Sequence, residues 1–106
     1  MQNIYLFITI IKKSDSKEFL DFFLAHNVAP IYSTIGHGAA TSETLSLLGL
    51  EQSEKMLMQS IVTTSKMYEL KEALTSEMSL DLPNRGIALA IPLTSMLQPA
   101  YGRDPR

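Results

Sequence analysis

Two short segments contain the residue types best suited to bind a small anion. Gly36-His37-Gly38 follows a run of β-type residues, and Asn84-Arg85-Gly86 comes directly before another such run. Glycine leaves backbone N–H groups accessible to a ligand, and arginine can donate two parallel hydrogen bonds to one phosphate group. Both segments are therefore candidate effector-binding turns. The alternatives are a flexible exit from a strand for the first segment and an ordinary exposed turn for Arg85.

The sequence gives little support for catalysis or metal binding. It contains no cysteine and no Gly-x-Ser-x-Gly, His-Glu-x-x-His or Walker-type lysine motif. Of its two histidines, His26 lies at a predicted helix end, where the helix dipole explains it, and His37 lies between two glycines. No cysteine or carboxylate cluster completes a metal site at either histidine. We expect a protein that is not an enzyme and requires no metal or other cofactor.

Composition narrows the class of protein. The 106 residues are 45% hydrophobic and carry nine basic against eleven acidic side chains, which predicts one small folded domain. Because no dense run of basic residues occurs, a nucleic-acid or anionic-membrane surface is disfavoured. The apolar run Ile4–Ile11 has its lysines after it and not before it, unlike a signal peptide, and no segment is long enough to span a bilayer. We expect a soluble, cytoplasmic protein.

Hydrophobic spacing predicts a βαβ unit in the first 35 residues. Ile4–Ile11 is a strand, residues 15–26 form a helix that Asp15 begins in a capping-box pattern, and Asn27 favours a left-handed stop. A second strand covers Ala29–Ile35, and Pro30, which lacks an amide hydrogen, is compatible only with an edge strand or with the first residues of a strand.

A second βαβ unit follows. Met56–Thr63 is a strand, Thr64 or Ser65 caps the next helix, and Gly86–Leu93 is the last strand. The apolar stripe of the helix comprises Met67, Leu70, Leu74 and Met78. Two split βαβ units predict an α+β ferredoxin-like plait, βαββαβ, with strands one and three central and both helices on one face of an antiparallel sheet. Residues 1–96 form this domain, and residues 97–106 are a tail.

The segment 37–54 between the two units is long for a simple connection. It is predicted to contain one short helix, which Thr41 or Ser42 caps and Gly49 ends. Its leucines either dock a partner protein or pack on the protein's own assembly. The candidate partner-binding residues are Thr41, Ser42, Glu43, Leu45 and Leu48.

The first strand is apolar on both faces. Ile4, Leu6, Ile8 and Ile10 point one way, and Tyr5, Phe7, Thr9 and Ile11 point the other. A strand with one solvated face should alternate apolar and polar residues, so this pattern predicts an oligomer assembled through the open face of the sheet. We assign Tyr5, Phe7 and Ile11 to that interface, where burying about 100 Å² of each would contribute several kcal/mol.

The combination of a plait, a loop that begins after Gly36-His37-Gly38, and a closing strand Gly86–Met96 resembles the PII-like signalling proteins, relatives of nitrogen regulatory protein P-II. The loop sequence, Gly38-Ala-Ala-Thr-Ser-Glu43 followed by Leu-Leu-Gly-Leu50, is similar to a divergent subgroup with a short T-loop. The resemblance covers residues 3–96. It implies a homotrimer with inward-facing sheets, effector sites between subunits for adenine nucleotides such as ATP, ADP or AMP, and regulation of a partner in nitrogen metabolism or transport.

By position, the resemblance also implies the residues of the effector cleft, with Arg85 as the phosphate partner. They are Ile35, Gly36, His37, Gly38, Thr63, Thr64, Asn84, Arg85 and Gly86. The alternative is a structural or protein-interaction plait that binds its partner through the leucine-rich loop 37–54 and binds no nucleotide. Neither version involves nucleic acid or membrane insertion.

Overall fold

Six elements follow one another in the order βαββαβ. The computed structural model of the chain describes residues 3–35, 47 and 54–94. The strands are β1 (Ile4–Lys12), β2 (Ile31–Ile35), β3 (Lys55–Thr63) and β4 (Gly86–Leu93), and the helices are α1 (Ser16–Ala25) and α2 (Thr64–Ser76). The predicted turn Gly36-His37-Gly38, the loop residues Thr41, Ser42, Glu43, Leu45 and Leu48, and the tail 97–106 lie outside the described residues.

The sheet is antiparallel with the strand order β2-β3-β1-β4, which confirms the prediction that strands one and three are central. Ile4 lies opposite both Thr63 and Leu93, and Ile11 lies opposite Gly86 at the other end. This α+β architecture, with four strands and two helices, is compatible with a ferredoxin-like plait. The shorter β2 reaches only from Ile31 to Ile35 along β3.

The helix ends differ from the predictions in two places. Asp15 makes no side-chain cap on α1, which a 3₁₀ turn over Lys13–Asp15 precedes. The cap of α2 is Thr63, one residue before the predicted Thr64, because its hydroxyl accepts from the Lys66 N–H at 3.3 Å. The stop after α1 is as predicted, since Asn27 has a φ of 63°.

The hydrophobic core lies between one face of the sheet and both helices. Phe22 and Phe23 pack edge to face at 5.2 Å, and Phe7 meets Phe23 in the same way at 6.5 Å. The buried apolar side chains of this core are Phe7, Ile11, Phe19, Phe22, Phe23, Val28, Met58, Val62, Met67, Leu70, Ala73, Leu74 and Met78. Phe7 and Ile11 therefore lie under the helices, and Tyr5 packs against the same core, so their assignment to the open face was wrong.

The open face of the sheet carries the other row of β1, and no described helix covers it. The register places Ile8 and Ile10 in this row beside Leu57 of β3 and Ile87 of β4. Several aliphatic side chains of this face are substantially exposed: Ile31 (67%), Ile61 (55%), Leu89 (41%) and Ile91 (44%). The prediction of a strand with two apolar faces is confirmed, with the two rows exchanged.

Candidate functional site

The predicted effector residues fall at two opposite ends of the sheet. Ile35 lies opposite Lys55, where β3 begins, and Gly86 lies at the same end of the sheet, opposite Ile11. Thr63 ends β3 on the far side, next to Asn3. From Lys55 to Thr63 the strand advances by eight residue steps, which at roughly 3.3 Å per residue is about 26 Å. One chain therefore does not bring the predicted residues together; it carries two half-sites, which we name the Arg85 end and the Thr63 end.

At the Arg85 end, the guanidinium group is already bound within the chain. Its Nε donates to the Met78 carbonyl at 2.9 Å, and its two terminal nitrogens donate at 3.2 Å to carboxylate oxygens of Asp15 and Glu18. The group also lies 5.0 Å from the centre of the Phe19 ring. Arg85 thus ties the start of α1 to the turn before β4, which explains why Asp15 does not cap its helix. Phosphate binding by Arg85 stays a prediction, and a phosphate would compete with these two carboxylates for the guanidinium.

The packing of β4 against β1 requires a glycine at position 86. Its φ is 142°, and a Cβ atom built on it would lie 2.6 Å from the Ile10 carbonyl oxygen. Only glycine fits this close approach between β4 and β1 without strain. A shallow cleft of about 320 Å³ adjoins Gly86, and Lys71 and Asp81 are among its lining residues. Lys71 is a cation near this half-site. It was not among the predicted site residues, because a lysine on the exposed side of a helix has no distinguishing sequence pattern.

A buried lysine also lies at this end. Lys55, opposite Ile35, is only 1% exposed. Lysine is almost never fully buried unless it is paired, and Lys55 does interact with other groups of the chain. The predicted strand began at Met56 and did not include Lys55.

At the Thr63 end, a cleft of about 290 Å³ lies between the segment after α1 and the end of β3. Its lining residues are Asn27, Val28, Ala29, Ser60, Ile61, Val62, Thr63 and Lys66. The Thr63 hydroxyl caps α2, and the Thr64 hydroxyl donates to the Asn3 carbonyl at 3.3 Å, so both threonines hold local structure. The cation at this cleft is Lys66, whose ammonium donates to the His26 carbonyl at 2.8 Å and to Glu69 at 3.0 Å. Lys66, like Lys71, was not among the predicted site residues.

The cleft continues along one edge of β3. The pairing of β2 with β3 ends at Ile31 opposite Gln59, whereas β3 runs on to Thr63 and there pairs with β1 alone among the described strands. The Thr64 N–H donates to Asn3 on the β1 side. Because peptide groups alternate in direction along a strand, those of Ile61 and Thr63 face the opposite side, into the gap beyond β2. This half-site therefore presents a backbone edge in addition to its side chains.

A cluster of ionisable groups surrounds His26. Its Nδ1 lies 2.6 Å from a Glu69 oxygen, and its Nε2 lies 3.2 Å from a Glu77 oxygen. The hydrogen bond with Glu69 raises the pKa of His26 against the opposing effect of burial, and Glu77 adds to the rise. The same bond lowers the pKa of Glu69, as does its bond with Lys66. Within the described ranges, no group of three histidine or carboxylate side chains could hold a metal ion.

No family model matches the chain, and no curated protein matches it significantly. Among solved structures, the chain is similar to the crystal structure of a functionally unknown protein from Pediococcus pentosaceus ATCC 25745. The TM-score is 0.63 at 14% sequence identity, and the alignment covers 92% of this chain and 99% of the other. This likeness shows a shared fold and carries no function. In the described part of the chain, no helix has the length and apolarity needed to cross a membrane.

Proposed function

We propose that the protein is a PII-like homotrimeric regulatory protein that binds a small anionic effector, an adenine nucleotide, between its subunits and controls a partner protein through the segment 37–54. The observation that carries this proposal is the apolar open face of the sheet. At about 4.8 Å between strands and 3.3 Å per residue, the three long strands and the five-residue β2 present a face of about 500 Å². Most of its residues are aliphatic, although Ser33 and Gln59 also lie on it, and an exposed apolar patch of a few hundred Å² is a common sign of an interface.

The size of the face also indicates that the assembly needs additional contact surface. A stable interface buries about 800 Å² on each partner, which is more than this face supplies. Strand edges such as the part of β3 beyond Gln59, which β2 does not cover, are suited to contribute the remainder. A trimer with its sheets turned inward would use both the open sheet face and the strand edge.

The two half-sites support effector binding between subunits. In one chain the two ends of β3 lie about 26 Å apart, at roughly 3.3 Å per strand residue, so the Arg85 end and the Thr63 end are too far apart for one nucleotide phosphate to contact both. In a head-to-tail assembly, the Arg85 end of one subunit would meet the Thr63 end of the next. Lysines stand at both ends, Lys71 beside Gly86 and Lys66 beside Thr63, so an anion would find positive charge on either side.

The second candidate function is a protein-interaction plait that binds no nucleotide. It is favoured by the carboxylates that already hold Arg85 and by Leu47, which is 88% exposed in the middle of the leucine-rich segment. A leucine exposed to this extent is suited to insert into a partner protein.

Light scattering coupled to gel filtration tests the assembly. The wild-type chain should elute as a trimer, and Ile91→Lys, on the open face, should elute as a folded monomer because it places a charge in the interface. Tyr68→Lys is the matched control, since Tyr68 is 60% exposed on α2, away from the open face, and this variant should stay trimeric. A wild-type monomer at micromolar concentration would contradict the proposal.

Titration calorimetry with ATP, ADP and AMP tests the effector. Heat of binding is expected with the wild-type trimer, and Lys66→Met and Arg85→Met should each weaken phosphate-bearing ligands by about 1–3 kcal/mol, the usual worth of a hydrogen bond to a charged group. Lys17→Met is the control, because Lys17 pairs only with Asp21 on the exposed side of α1. A folded trimer that gives no heat at millimolar nucleotide would favour the interaction plait instead.

A further inference from the structure

His26 connects the two helices at a single point. It is the residue that follows α1, and its ring reaches two carboxylates, Glu69 on α2 and Glu77, the residue that follows α2. Those two residues are eight positions apart, which corresponds to about two helical turns. The imidazole therefore connects α2 with its own C-terminal end, and its other side packs against the Phe22 ring at 4.6 Å.

The contacts of the ring specify its protonation state. An ionised carboxylate can only accept hydrogen bonds, so each ring nitrogen that faces one must carry a proton. A neutral imidazole has one N–H, whereas the imidazolium has two. The arrangement at 2.6 Å and 3.2 Å is thus satisfied only by the protonated ring.

We propose that His26 is a pH-sensitive clamp, which holds the end of α1 against α2 while its ring is protonated and releases one of the two carboxylates when the proton leaves. Loss of the proton turns one ring nitrogen into an acceptor facing an acceptor, and that contact must open. The contact with Glu77 is the longer of the two and is the one expected to open.

The surrounding charges favour the same behaviour. Three charged groups face His26: Glu69 on α2, Glu77 directly after α2, and Lys66 on α2, whose ammonium also donates to the His26 carbonyl. With a protonated ring, two positive charges balance two negative charges, and with a neutral ring the cluster keeps one net negative charge. Accordingly, the Glu69 hydrogen bond raises the pKa of His26 above its usual value of 6.5.

The clamp fixes one wall of the cleft at the Thr63 end. The segment Asn27–Ala29, which lines that cleft, begins immediately after His26. It is held from the α1 side by two hydrogen bonds, from the Asn27 N–H to Leu24 and from the Val28 N–H to the Phe23 carbonyl. Opening the contact between His26 and Glu77 removes a tie from α2 to this wall, so the wall is expected to become more mobile as the pH rises. The clamp does not depend on any ligand.

The direction of the stability change follows from linkage. The pKa of His26 is higher in the folded chain than in the unfolded one. The clamp therefore contributes its full stabilisation below about pH 6.5 and loses it as the pH rises through the pKa of the folded chain. Each unit of difference between the folded and unfolded pKa makes the contact about tenfold stronger in the protonated state.

Proton NMR of the two imidazoles in the full chain tests the proposal. The His26 midpoint should lie above that of the same chain unfolded in urea, and Glu77→Gln should lower it, because an uncharged amide no longer favours the imidazolium. Glu72→Gln, which removes a carboxylate of α2 that makes no contact with His26, is the matched control and should leave the midpoint unchanged. A His26 midpoint in the folded wild-type chain at or below the unfolded value would overturn the proposal without reference to any variant.

Hydrogen exchange distinguishes a His26 ring that holds the wall of the cleft from a ring whose pKa is shifted but which does not hold the wall. The protection of the Val28 amide, compared with that of the Leu6 amide in β1, should fall several-fold across the His26 midpoint in the wild-type chain. In His26→Gln the same ratio should not change with pH. If the ratio is constant in the wild-type chain, the ring titrates without holding the wall, and the proposal fails. If His26→Gln does not fold, Glu77→Gln provides the comparison, with an expected change smaller than in the wild-type chain.

Discussion

The two faces of the sheet have similar side chains and different surroundings. On the helix-covered face, Phe7 and Ile11 of β1 are buried among aromatic and aliphatic side chains from both helices. On the open face, Ile10 opposite Leu57 is also buried, whereas residues farther along the face, such as Ile61, are half exposed. A row of apolar residues therefore does not indicate by itself which face the helices cover.

The size of the residues distinguishes the two faces better than their polarity does. The covered row of β1 contains the aromatic residues Tyr5 and Phe7, and its neighbours on β4 are the small residues Ala88 and Ala90. The open row is uniformly aliphatic, with isoleucine and leucine on β1 and β4 alike. Large residues beside small ones interdigitate with helix side chains, whereas an even aliphatic surface suits contact with another flat surface. Substitutions on the covered face and on the open face test this distinction.

The largest effect is expected from Phe7→Ala, on the covered face. Removing a ring that is 2% exposed leaves a cavity between the sheet and α1, and large-to-small changes of this kind cost about 3–5 kcal/mol of unfolding free energy. Urea unfolding followed by circular dichroism measures this loss. A cost below 1 kcal/mol would mean that the covered face is not the main core.

An intermediate effect, of opposite sign, is expected from Thr9→Val on the same face. Thr9 is fully buried, and its hydroxyl has no hydrogen-bond partner among the described residues. Replacing this hydroxyl by a methyl group removes an unsatisfied polar atom, and we expect the chain to gain about 1 kcal/mol in unfolding free energy. Thr34→Val, at an exposed position on β2, is the control and should stay within about 0.5 kcal/mol of wild type. A destabilised Thr9→Val variant would show that the hydroxyl is bonded after all.

The smallest effect on the single chain is expected from Ile61→Thr, on the open face. Because Ile61 is already 55% exposed, its truncation should change the unfolding free energy of the separated chain by less than about 1 kcal/mol. In the proposed assembly the same change should lower the melting temperature at high protein concentration more than at low concentration, because it weakens association. Differential scanning fluorimetry over a hundredfold range of concentration distinguishes the two effects. A shift that is the same at every concentration would argue against an interface at this position.

Much of the fold could be predicted from the sequence, because local signals determine it. The apolar spacing located the four strands and both helices, and Asn27 ended α1 in the predicted left-handed conformation. The cap of α2 was misplaced by one residue, since Thr63, Thr64 and Ser65 are adjacent and each can act as a cap. The face assignment failed for a different reason: both rows of β1 are apolar, and only the packing of the whole sheet decides which row the helices cover.

The candidate site was less predictable because its contacts join distant parts of the chain. Arg85 pairs with Asp15, 70 residues earlier, and this pairing both occupies the guanidinium and prevents Asp15 from capping α1. The contacts of His26 with Glu69 and Glu77 span 43 and 51 residues. The spacing of eight between the two glutamates places them on one side of a helix, but no local pattern indicates that a histidine lies beside it.

The separation of the two half-sites has a consequence for mixed assemblies. In the proposed ring, each cleft takes its Arg85 end from one chain and its Thr63 end from the next, so the number of clefts equals the number of chains. Two inactive variants, one altered only at Arg85 and the other only at Lys66, would then complement each other when refolded together. Wherever the unaltered ends of the two chains meet, a complete cleft is restored, and the fraction of restored clefts reports how the chains are ordered around the ring.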